Sequence, residues 1–257
     1  MSEVIKVDNL FFKYDSEYVL RDINFSIEKG DFLGLAGPNG GGKTTLIKLI
    51  LGLLKPTQGK VSLFGKDSTL FREKSKLGYM PQKINNFNSN FPATVKEVVS
   101  MGILAEKHFP RYISHRDEHK VYNAMKMTNI TDLQTKLIGD LSGGQMQRVY
   151  MARIFTNTPE ILFLDEPTSA LDLNSRQKFM DLLVKLNKEK KTTIIFITHD
   201  NSQIGKYANK MLFLDREMVF FGGLGDFCKS QEMEKYFGHF AQHMICHRHD
   251  KDAVNVK

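Results

Sequence analysis

The chain has 257 residues, of which 41% are hydrophobic and 25% are charged, which is ordinary for a globular protein with a buried core. The formal net charge is +7, but the basic residues are dispersed along the sequence, so charge by itself favours no class of ligand. No segment approaches the roughly 18 consecutive apolar residues of a membrane-spanning helix, so the sequence predicts no membrane span.

The first half of the chain begins with strands and then changes to helices. Residues 2–30 alternate apolar and polar side chains, which predicts antiparallel strands joined by a turn at residues 14–17. From Thr94 to about Thr135 the apolar spacing becomes helical, which predicts a helical insertion in an α/β core. The segments predicted between these two regions are a buried strand at 31–36, a helix at 45–54, strands at 60–65 and 77–82, and an Asn-rich loop at 83–93.

The second half of the chain returns to an alternation of helices and strands. Its predicted helices cover residues 145–157 and 175–190. Two continuous apolar runs predict strands that are buried on both faces. The predicted strands are 161–164, 192–198, 211–214 and 218–221.

Residues 37–45 fit the P-loop pattern G-x-x-x-x-G-K-[ST], which binds phosphate, and they lie between a predicted strand and a predicted helix. Glycines in this setting let backbone N–H groups point at an anion, and the start of the helix favours negative charge. Lys43 adds a positive charge, and the Thr44 hydroxyl is a possible Mg²⁺ ligand. The alternative is a glycine-rich turn with a chance lysine. We predict a nucleotide phosphate site at Gly37, Pro38, Asn39, Gly40, Gly41, Gly42, Lys43, Thr44 and Thr45.

Polar residues follow both of the continuous apolar runs. Asp165 and Glu166 come after the strand predicted at 161–164, and His199 comes after the strand predicted at 192–198. Ligands of open parallel sheets bind at the carboxyl ends of the strands. We therefore expect these three side chains at the same end of the sheet as the P-loop.

A further motif, Leu-Ser-Gly-Gly-Gln at residues 141–145, lies between the P-loop and the apolar run that ends in Asp-Glu. With these motifs the chain resembles ATP-binding cassette (ABC) ATPases over nearly all of residues 1–227. The resemblance implies an α/β fold: a P-loop NTPase core with a parallel sheet, an N-terminal antiparallel β subdomain and an α-helical subdomain inserted at about 83–150. Residues 228–257 would form a C-terminal tail that contains histidines. Read alone, residues 141–145 would be a helix N-cap with a flexible glycine pair.

The same resemblance implies a role for individual residues. Asp165 would hold Mg²⁺ through water, and Glu166 would be the general base that polarises the attacking water. His199 would contact the γ-phosphate, and Gln82 would contact Mg²⁺ and the water. Tyr14 would stack on the adenine of ATP.

The resemblance also implies that two chains form a homodimer around ATP. The 141–145 motif would lie too far from the P-loop of its own chain to contact the same nucleotide. Each P-loop would therefore face the motif of the other chain, which would bind ATP through Ser142, Gly143, Gly144 and Gln145. The dimer interface would include Ser142, Gly144 and Asp172.

A chain with one cassette and no membrane span is consistent with two classes of ATP hydrolase. One is the motor of a membrane transporter, and the other is a soluble ABC protein that acts on DNA, ribosomes or Fe–S assembly. The second class usually has paired cassettes, coiled-coil insertions or basic arms, and none is evident here. The sequence thus favours a transporter motor that lies at the cytoplasmic side of the inner (plasma) membrane, binds integral membrane permease subunits and binds no nucleic acid. The apolar residues after Gln82 exceed what a simple surface loop needs, so they predict the groove that receives a permease helix. They are Phe87, Phe91, Val95, Val98 and Met101.

Two segments indicate the transported substrate. Residues 91–102 resemble the Phe-Pro-x-Thr-Val…Val-Val-x-Met-Gly segment of zinc and manganese uptake ATPases, and the tail resembles the histidine-rich tail of zinc-uptake ATPases. The sequence therefore favours zinc import, with a metal-binding protein as an indirect partner, while Pro167–Asp172 is more like generic importers. Manganese, iron or another substrate is the alternative. The tail histidines either bind nothing or form a Zn²⁺ site from His239, His243, Cys246, His247 and His249.

Overall fold

The computed structural model describes residues 2–82, 92–104, 107, 109–169, 171–198, 200–238 and 242. Three predicted features lie outside these residues: Phe87 and Phe91 of the predicted groove, the side chain of His199, and the five tail ligands proposed for zinc. The chain divides into two compact units. The first unit comprises Met1–Arg72 and Leu186–Lys257, and the second unit comprises Glu73–Lys185.

The described residues form strands and helices in an α/β order. The strands are β1 (Glu3–Tyr14), β2 (Glu17–Glu28), β3 (Phe32–Ala36), β4 (Gln58–Leu63), β5 (Lys66–Asp67), β6 (Leu77–Met80), β7 (Ile161–Asp165), β8 (Thr193–Ile197), β9 (Lys210–Asp215) and β10 (Glu217–Gly223). The helices are α1 (Lys43–Ile50), α2 (Val95–Leu104), α3 (His115–Met127), α4 (Gly143–Phe155), α5 (Leu173–Lys190), α6 (Asn201–Tyr207), α7 (Leu224–Phe227) and α8 (Gln231–Phe237).

The first unit contains an antiparallel sheet with the strand order β2-β1-β4-β5. The predicted N-terminal hairpin is confirmed, and its turn is shorter than expected because Tyr14 pairs directly with Glu17. Strand β4 begins inside a segment that the sequence predicts as a turn. Gly59 there has a φ of +81°, and a Cβ at that position would lie 2.0 Å from the Asn9 carbonyl oxygen. The glycine therefore permits a close approach of two strands in addition to a turn.

The first unit also contains the strand that leads into residues 37–45. Strand β3 pairs in parallel with β8 and β9, and β10 pairs antiparallel with β9. All residues of β3 and β8 are buried, which explains their continuous apolar sequences. The register aligns Leu35 with Ile197 and Ala36 with Phe213, so β3 and β8 end at nearly the same level and β9 continues two residues further, to Asp215.

Two short helices of the first unit have no counterpart in the sequence prediction. Helix α6 begins after Asp200, whose carboxylate Oδ1 accepts a hydrogen bond from the Ser202 N–H at 3.1 Å. Helix α8 packs through the buried Met233, and the Tyr236 hydroxyl donates to Asp215 Oδ2 at 2.8 Å. Helices α6 and α8 have seven residues each, so they are too short to show a clear apolar period.

The second unit consists of a pair of parallel strands and the predicted helical insertion. Strand β6 pairs with β7, with Met80 opposite Leu164. Helices α2 and α3 confirm the change to helical periodicity after Thr94. Val95 and Val98 of α2 are fully buried, so they belong to the core of this unit and not to the predicted permease groove. Helix α2 approaches α4 closely, since a Cβ at Gly102 would lie 2.3 Å from the Arg153 carbonyl oxygen. This arrangement bears out the predicted α/β class with an antiparallel subdomain and an inserted helical region.

Within the described ranges, no helix combines the length and the apolar character that crossing a membrane requires.

Candidate functional site

The loop from Gly37 to Gly42 connects the buried strand β3 to the start of α1 in the first unit. Helix α1 begins at Lys43, two residues earlier than the sequence pattern predicts. Its N-cap is Gly42, which has φ 92° and provides no side chain to cap the helix. The first turn contains no acidic residue. The start of α1 thus presents backbone N–H groups and the positive end of a helix dipole, which together favour an anion.

Glycine is required in this loop by the close approach of neighbouring backbone. A Cβ at Gly37 would lie 1.9 Å from the Leu214 carbonyl oxygen at the end of β9. A Cβ at Gly42 would lie 2.5 Å from the Leu20 side chain of β2. By contrast, Gly40 has no atom within 4 Å of such a Cβ, and its φ of +78° is the only constraint. The loop is therefore packed against neighbouring residues at Gly37 and Gly42, whereas Gly40 at its tip is exposed. A loop that binds phosphate needs both features.

The Lys43 side chain lies against its own loop. Its ammonium Nζ donates to the carbonyl oxygens of Gly37 at 2.8 Å and Pro38 at 2.7 Å, and the residue is 8% exposed. These contacts hold the positive charge beside the loop backbone rather than in solvent. The arrangement fits a singly charged group that recognises phosphate oxygens.

The N-terminal hairpin carries Tyr14, the residue predicted to stack on adenine. Its side chain is 47% exposed, and its ring makes an edge contact with Phe12, with 4.8 Å between the centroids. Strand β2 of the same hairpin contacts the loop, because the Leu20 side chain meets Gly42. The first unit therefore places an exposed aromatic ring on the hairpin that supports the phosphate loop.

Residues at the end of β8 flank His199. Thr198 is buried, and its Oγ1 accepts a hydrogen bond from the Asp200 N–H at 3.0 Å. Asp200 also binds the Gln203 amide through Oδ2 at 3.0 Å. The chain on either side of position 199 is thus fixed by side-chain hydrogen bonds at the level where β3 ends.

The second unit carries the predicted acidic pair at the end of β7. Asp165 is the last residue of β7 and is 3% exposed. Glu166 follows it with φ 52°, a left-handed backbone that is unusual for a residue with a side chain. Its carbonyl oxygen accepts a hydrogen bond from the Ser169 hydroxyl at 3.1 Å. The strained turn directs the chain away from the strand directly after the two carboxylates.

Gln82 lies at the same edge of this strand pair. Met80 opposite Leu164 is the last pair in the register, and Gln82 follows Met80 by two residues just as Glu166 follows Leu164 by two. On β6, burial and then the charge of Asp165 raise the pKa of Tyr79 to about 12, which keeps its hydroxyl protonated. The Gln82 amide and the Asp165 carboxylate both offer oxygen atoms, which is the ligand type that Mg²⁺ prefers.

The 141–145 motif forms the start of α4. Ser142 is its N-cap, and its Oγ accepts from the Gln145 N–H at 3.3 Å while the Gln145 Oε1 accepts from the Ser142 N–H at 3.0 Å. This reciprocal pair of hydrogen bonds is a capping box. The structure thus confirms the alternative prediction that residues 141–145 form a helix N-cap. Both Ser142 and Gly143 are exposed. Because the hydroxyl only accepts within this box, its proton remains able to bind an anion.

Asp172 precedes α5 and caps it. Its Oδ1 accepts from the Ser175 N–H at 3.0 Å. The hydroxyl and the backbone N–H of Ser175 hold the pKa of Asp172 below its usual value. The carboxylate is exposed, so a capping role leaves one face of it accessible.

Sequence reasoning did not find the residues of β9 and of the turn after it that support the phosphate loop. The Leu214 carbonyl lies against Gly37, and the Arg216 N–H donates to the Gly41 carbonyl oxygen at 3.1 Å. Arg216 also forms an ion pair with Glu17, with 2.9 Å between Nη1 and Oε1. These contacts join residues that are far apart in the sequence, and they use mostly backbone atoms. No local pattern could have indicated them.

The comparisons with known proteins agree with this geometry. Residues 20–169 match the family model described as ABC transporter. This chain therefore belongs to the ABC transporter family, and it is an ATPase of that family, which uses ATP together with Mg²⁺.

Curated relatives indicate which members of the family the chain is similar to. It is 41% identical to the zinc uptake system ATP-binding protein ZurA of Listeria monocytogenes over 227 residues, which cover 88% of each chain. It is 36% identical to the high-affinity zinc uptake system ATP-binding protein ZnuC of Bacillus subtilis, over 83% of this chain and 91% of the relative.

Solved structures show the same fold. CbiO1 of Clostridium perfringens, part of the ABC transporter complex cbiONQ, superposes with a TM-score of 0.77 at 30% identity, covering 92% of this chain and 94% of that one. The dimeric post-hydrolysis cassette MJ0796, bound to ADP and phosphate, superposes with a TM-score of 0.73 at 29% identity, covering 85% and 98%.

Proposed function

We propose that the chain is the ATP-hydrolysing motor of an ABC importer that takes up zinc through a separate membrane permease. The observation that carries this proposal is the 41% identity to zinc uptake ATP-binding proteins over 88% of both chains. The intact phosphate loop of the first unit and the acidic edge of β7 in the second unit support the activity that this role requires.

ATP is held by the first unit. The backbone N–H groups of residues 37–45 and the start of α1 bind the phosphates, and Lys43 adds its charge to the β- and γ-phosphates. Its ammonium exchanges carbonyl partners within the loop for phosphate oxygens. Tyr14 stacks on adenine, since its ring is exposed and is steadied by the edge contact with Phe12.

Hydrolysis depends on the side chains at the ends of β6, β7 and β8. By similarity to the family, Glu166 accepts the proton of the attacking water, and His199 keeps that water aligned with the γ-phosphate. Thr44, Gln82 and Asp165 hold Mg²⁺, directly or through water. When bound, Mg²⁺ neutralises charge on the phosphates. The buried position of Asp165 and its level with the edge of β6 support this assignment.

A second copy of the chain completes the ATP site. In this proposal Ser142, Gly143, Gly144 and Gln145 of one chain bind the γ-phosphate held by the P-loop of the other, and Asp172 lies in the interface. The exposure of Ser142 and Gly143 at a helix start supports an anion-binding role. The structurally similar bacterial ABC transporter cassette MJ0796, which is 30% identical to this chain, has been solved as a dimer.

Permease subunits transmit the dimer's opening and closing to the transported ion. The motor therefore lies at the cytoplasmic face of the membrane, bound to the permease, and a metal-binding protein delivers the ion on the other side. Residues 1–227 form the ATPase domain with its helical insertion at about 83–150, and residues 228–257 form the tail. We include in the proposal a zinc site on that tail, at His239, His243, Cys246, His247 and His249.

Manganese is the second candidate substrate. The manganese transport system ATP-binding protein MntB of Halalkalibacterium halodurans is 35% identical over 242 residues, which cover 94% of this chain and 95% of the relative. That alignment is longer than the zinc alignments but has lower identity.

Reconstitution separates these possibilities. The chain is combined in vesicles with its permease subunits and metal-binding protein, and uptake of ⁶⁵Zn²⁺ and ⁵⁴Mn²⁺ is measured with and without ATP. We expect ATP-dependent zinc uptake that exceeds manganese uptake at equal concentration. The matched control is Glu166→Gln, which should transport neither ion. Faster uptake of manganese than of zinc would show that manganese is the substrate. ATP hydrolysis without uptake of either ion would overturn the proposed metal import.

A further inference from the structure

A cleft of about 120 Å³ lies within the second unit, where the end of α3, the α4 helix and the start of α5 meet. Its inner lining includes the buried side chains of Met151, Leu171 and Phe179. The volume approaches that of an engineered cavity of about 150 Å³ that takes up benzene in another protein. The cleft is therefore large enough for one compact apolar group.

A polar group in the cleft lacks a partner. Gln147 lines it and is 4% exposed, and its Oε1 accepts no hydrogen bond in the part of the chain that the structure describes. A buried acceptor without a donor destabilises a protein and is rare in native structures. The side chain of Gln147 thus favours a bound group that donates a hydrogen bond to it.

The mouth of the cleft is positively charged. Arg148 of α4 and Lys178 of α5 both line it, and Lys178 is exposed. Among the described residues that line the cleft, none has a carboxylate. A guanidinium and an ammonium at the entrance to an apolar pocket suit a carboxylate that remains at the rim while its apolar body enters.

Arg148 also connects the cleft to the 141–145 motif. Its Nε donates to the Gly144 carbonyl oxygen at 3.4 Å, and its Nη1 donates to the Asn129 carbonyl oxygen at 3.5 Å. Both hydrogen bonds are long, so they are weak. A carboxylate at the rim would compete for this guanidinium and loosen its hold on Gly144.

We propose that this cleft binds a small organic hydroxy acid, with its apolar body on Met151 and Phe179 and its hydroxyl donating to Gln147. Its carboxylate pairs with Arg148 and Lys178. Occupation of the cleft withdraws Arg148 from Gly144 and thereby changes the rate of ATP hydrolysis. The binding step is independent of the proposed transport function, whereas the effect on hydrolysis rests on the role proposed for Gly144.

Binding is tested on the full chain without nucleotide, by ligand-observed NMR and calorimetry. The probe is 4-hydroxybenzoate, compared with benzoate, which lacks the hydroxyl, and with 4-hydroxybenzamide, which lacks the charge. We expect 4-hydroxybenzoate to bind with a Kd on the order of 1 mM, as a probe of its size allows. Benzoate should bind several-fold more weakly and the amide about tenfold more weakly.

Two variants assign the site. Lys178→Gln should reduce affinity for 4-hydroxybenzoate about fivefold, whereas Lys185→Gln, on the same helix and outside the cleft, should leave it unchanged. Gln147→Leu should remove the difference between 4-hydroxybenzoate and benzoate. Equal binding of the three probes, equal effects of the two lysine variants, or no binding up to about 10 mM would each overturn the proposed site.

The effect on ATP hydrolysis is measured separately with the wild-type chain and the Lys178→Gln variant. A rate change whose half-maximal probe concentration is about 1 mM in the wild type and about fivefold higher in the variant supports coupling through Arg148. Binding without any change in rate would overturn the coupling and leave the site standing. An inactive wild-type chain would count against the proposed ATPase role and not against the cleft, since binding has its own readout.

Discussion

Two helices of this protein begin with glycines and polar residues in similar sequences, but their first turns differ. The α1 helix begins after Gly42, with no side-chain cap, in the first unit. The α4 helix begins after Ser142 in the second unit and is closed by a reciprocal hydrogen-bonded pair with Gln145. The first helix leaves its N–H groups to a ligand, and the second satisfies part of its own.

The difference explains how two helix starts, both proposed to bind phosphate, can differ in their affinity for it. An uncapped start is unfavourable until an anion binds, so it gains most from ATP. A capped start is stable by itself and contributes only the hydroxyl proton and the remaining N–H groups. We infer that α1 holds ATP within one chain, whereas the α4 motif binds it only when a second chain brings the nucleotide close.

The largest expected effect separates holding ATP from hydrolysing it. Glu166→Gln keeps the size of the side chain and removes the base, so turnover should fall by about 10²- to 10⁴-fold while ATP affinity is unchanged. Steady-state phosphate release and nucleotide binding by fluorescence measure the two quantities. The ATP-bound dimer should then accumulate on gel filtration. Hydrolysis at the wild-type rate would remove Glu166 from the proposed role.

The next prediction disrupts the uncapped helix start. In Gly37→Ala the added Cβ would meet the Leu214 carbonyl oxygen at 1.9 Å. The loop must shift, and the free energy of unfolding should fall by about 3 kcal/mol, with ATP binding lost. Gly40→Ala is the matched control, because its Cβ meets nothing within 4 Å. It should cost only about 1 kcal/mol, for its left-handed backbone. Equal losses in the two variants, measured by urea unfolding, would contradict the packing argument.

A smaller effect is expected at the capped helix start. Ser142→Asp preserves an N-cap acceptor, so stability should stay within about 0.5 kcal/mol of wild type, but the carboxylate repels phosphate and ATPase activity should fall. Ser142→Ala removes the cap, so about 1 kcal/mol of stability should be lost, and because it adds no repelling charge its ATPase activity should fall less than that of Ser142→Asp. Thermal unfolding and ATPase assays on the same preparations distinguish the two. If Ser142→Asp hydrolyses ATP normally, the motif does not meet the nucleotide.

The smallest effect concerns the cap of α5. Because the pKa of Asp172 is lowered in the folded chain, its carboxylate stabilises the fold above the unfolded pKa of about 4. That contribution is lost as the pH falls through the folded pKa. In Asp172→Asn the amide oxygen still caps the helix, so stability at pH 7 should change little and its dependence on pH between 5 and 3 should weaken. Chemical unfolding across that range tests this, and an unchanged pH profile would refute it.

The sequence predicted the parts of the fold and site that have local patterns. The phosphate loop, the N-terminal hairpin and the buried strands β3, β7 and β8 were read from spacing and burial patterns that the structure confirms. The close contact of Leu214 with Gly37 and the carbonyl partners of Lys43 could not be read, because they depend on backbone atoms brought together by folding. The left-handed Glu166 was also missed, since no residue type favours that backbone at a position that needs a carboxylate.

The contact between Arg216 and the phosphate loop has a consequence for measurement by hydrogen exchange. The Arg216 amide proton is bonded to the Gly41 carbonyl oxygen, so it exchanges with solvent only when that end of β9 separates from the loop. A ligand that binds the loop only while this hydrogen bond is intact lowers the population of the separated state. It therefore slows exchange of the Arg216 amide by the same factor. One backbone amide, which is far from the phosphate loop in the sequence, therefore reports nucleotide affinity without a label or a mutation.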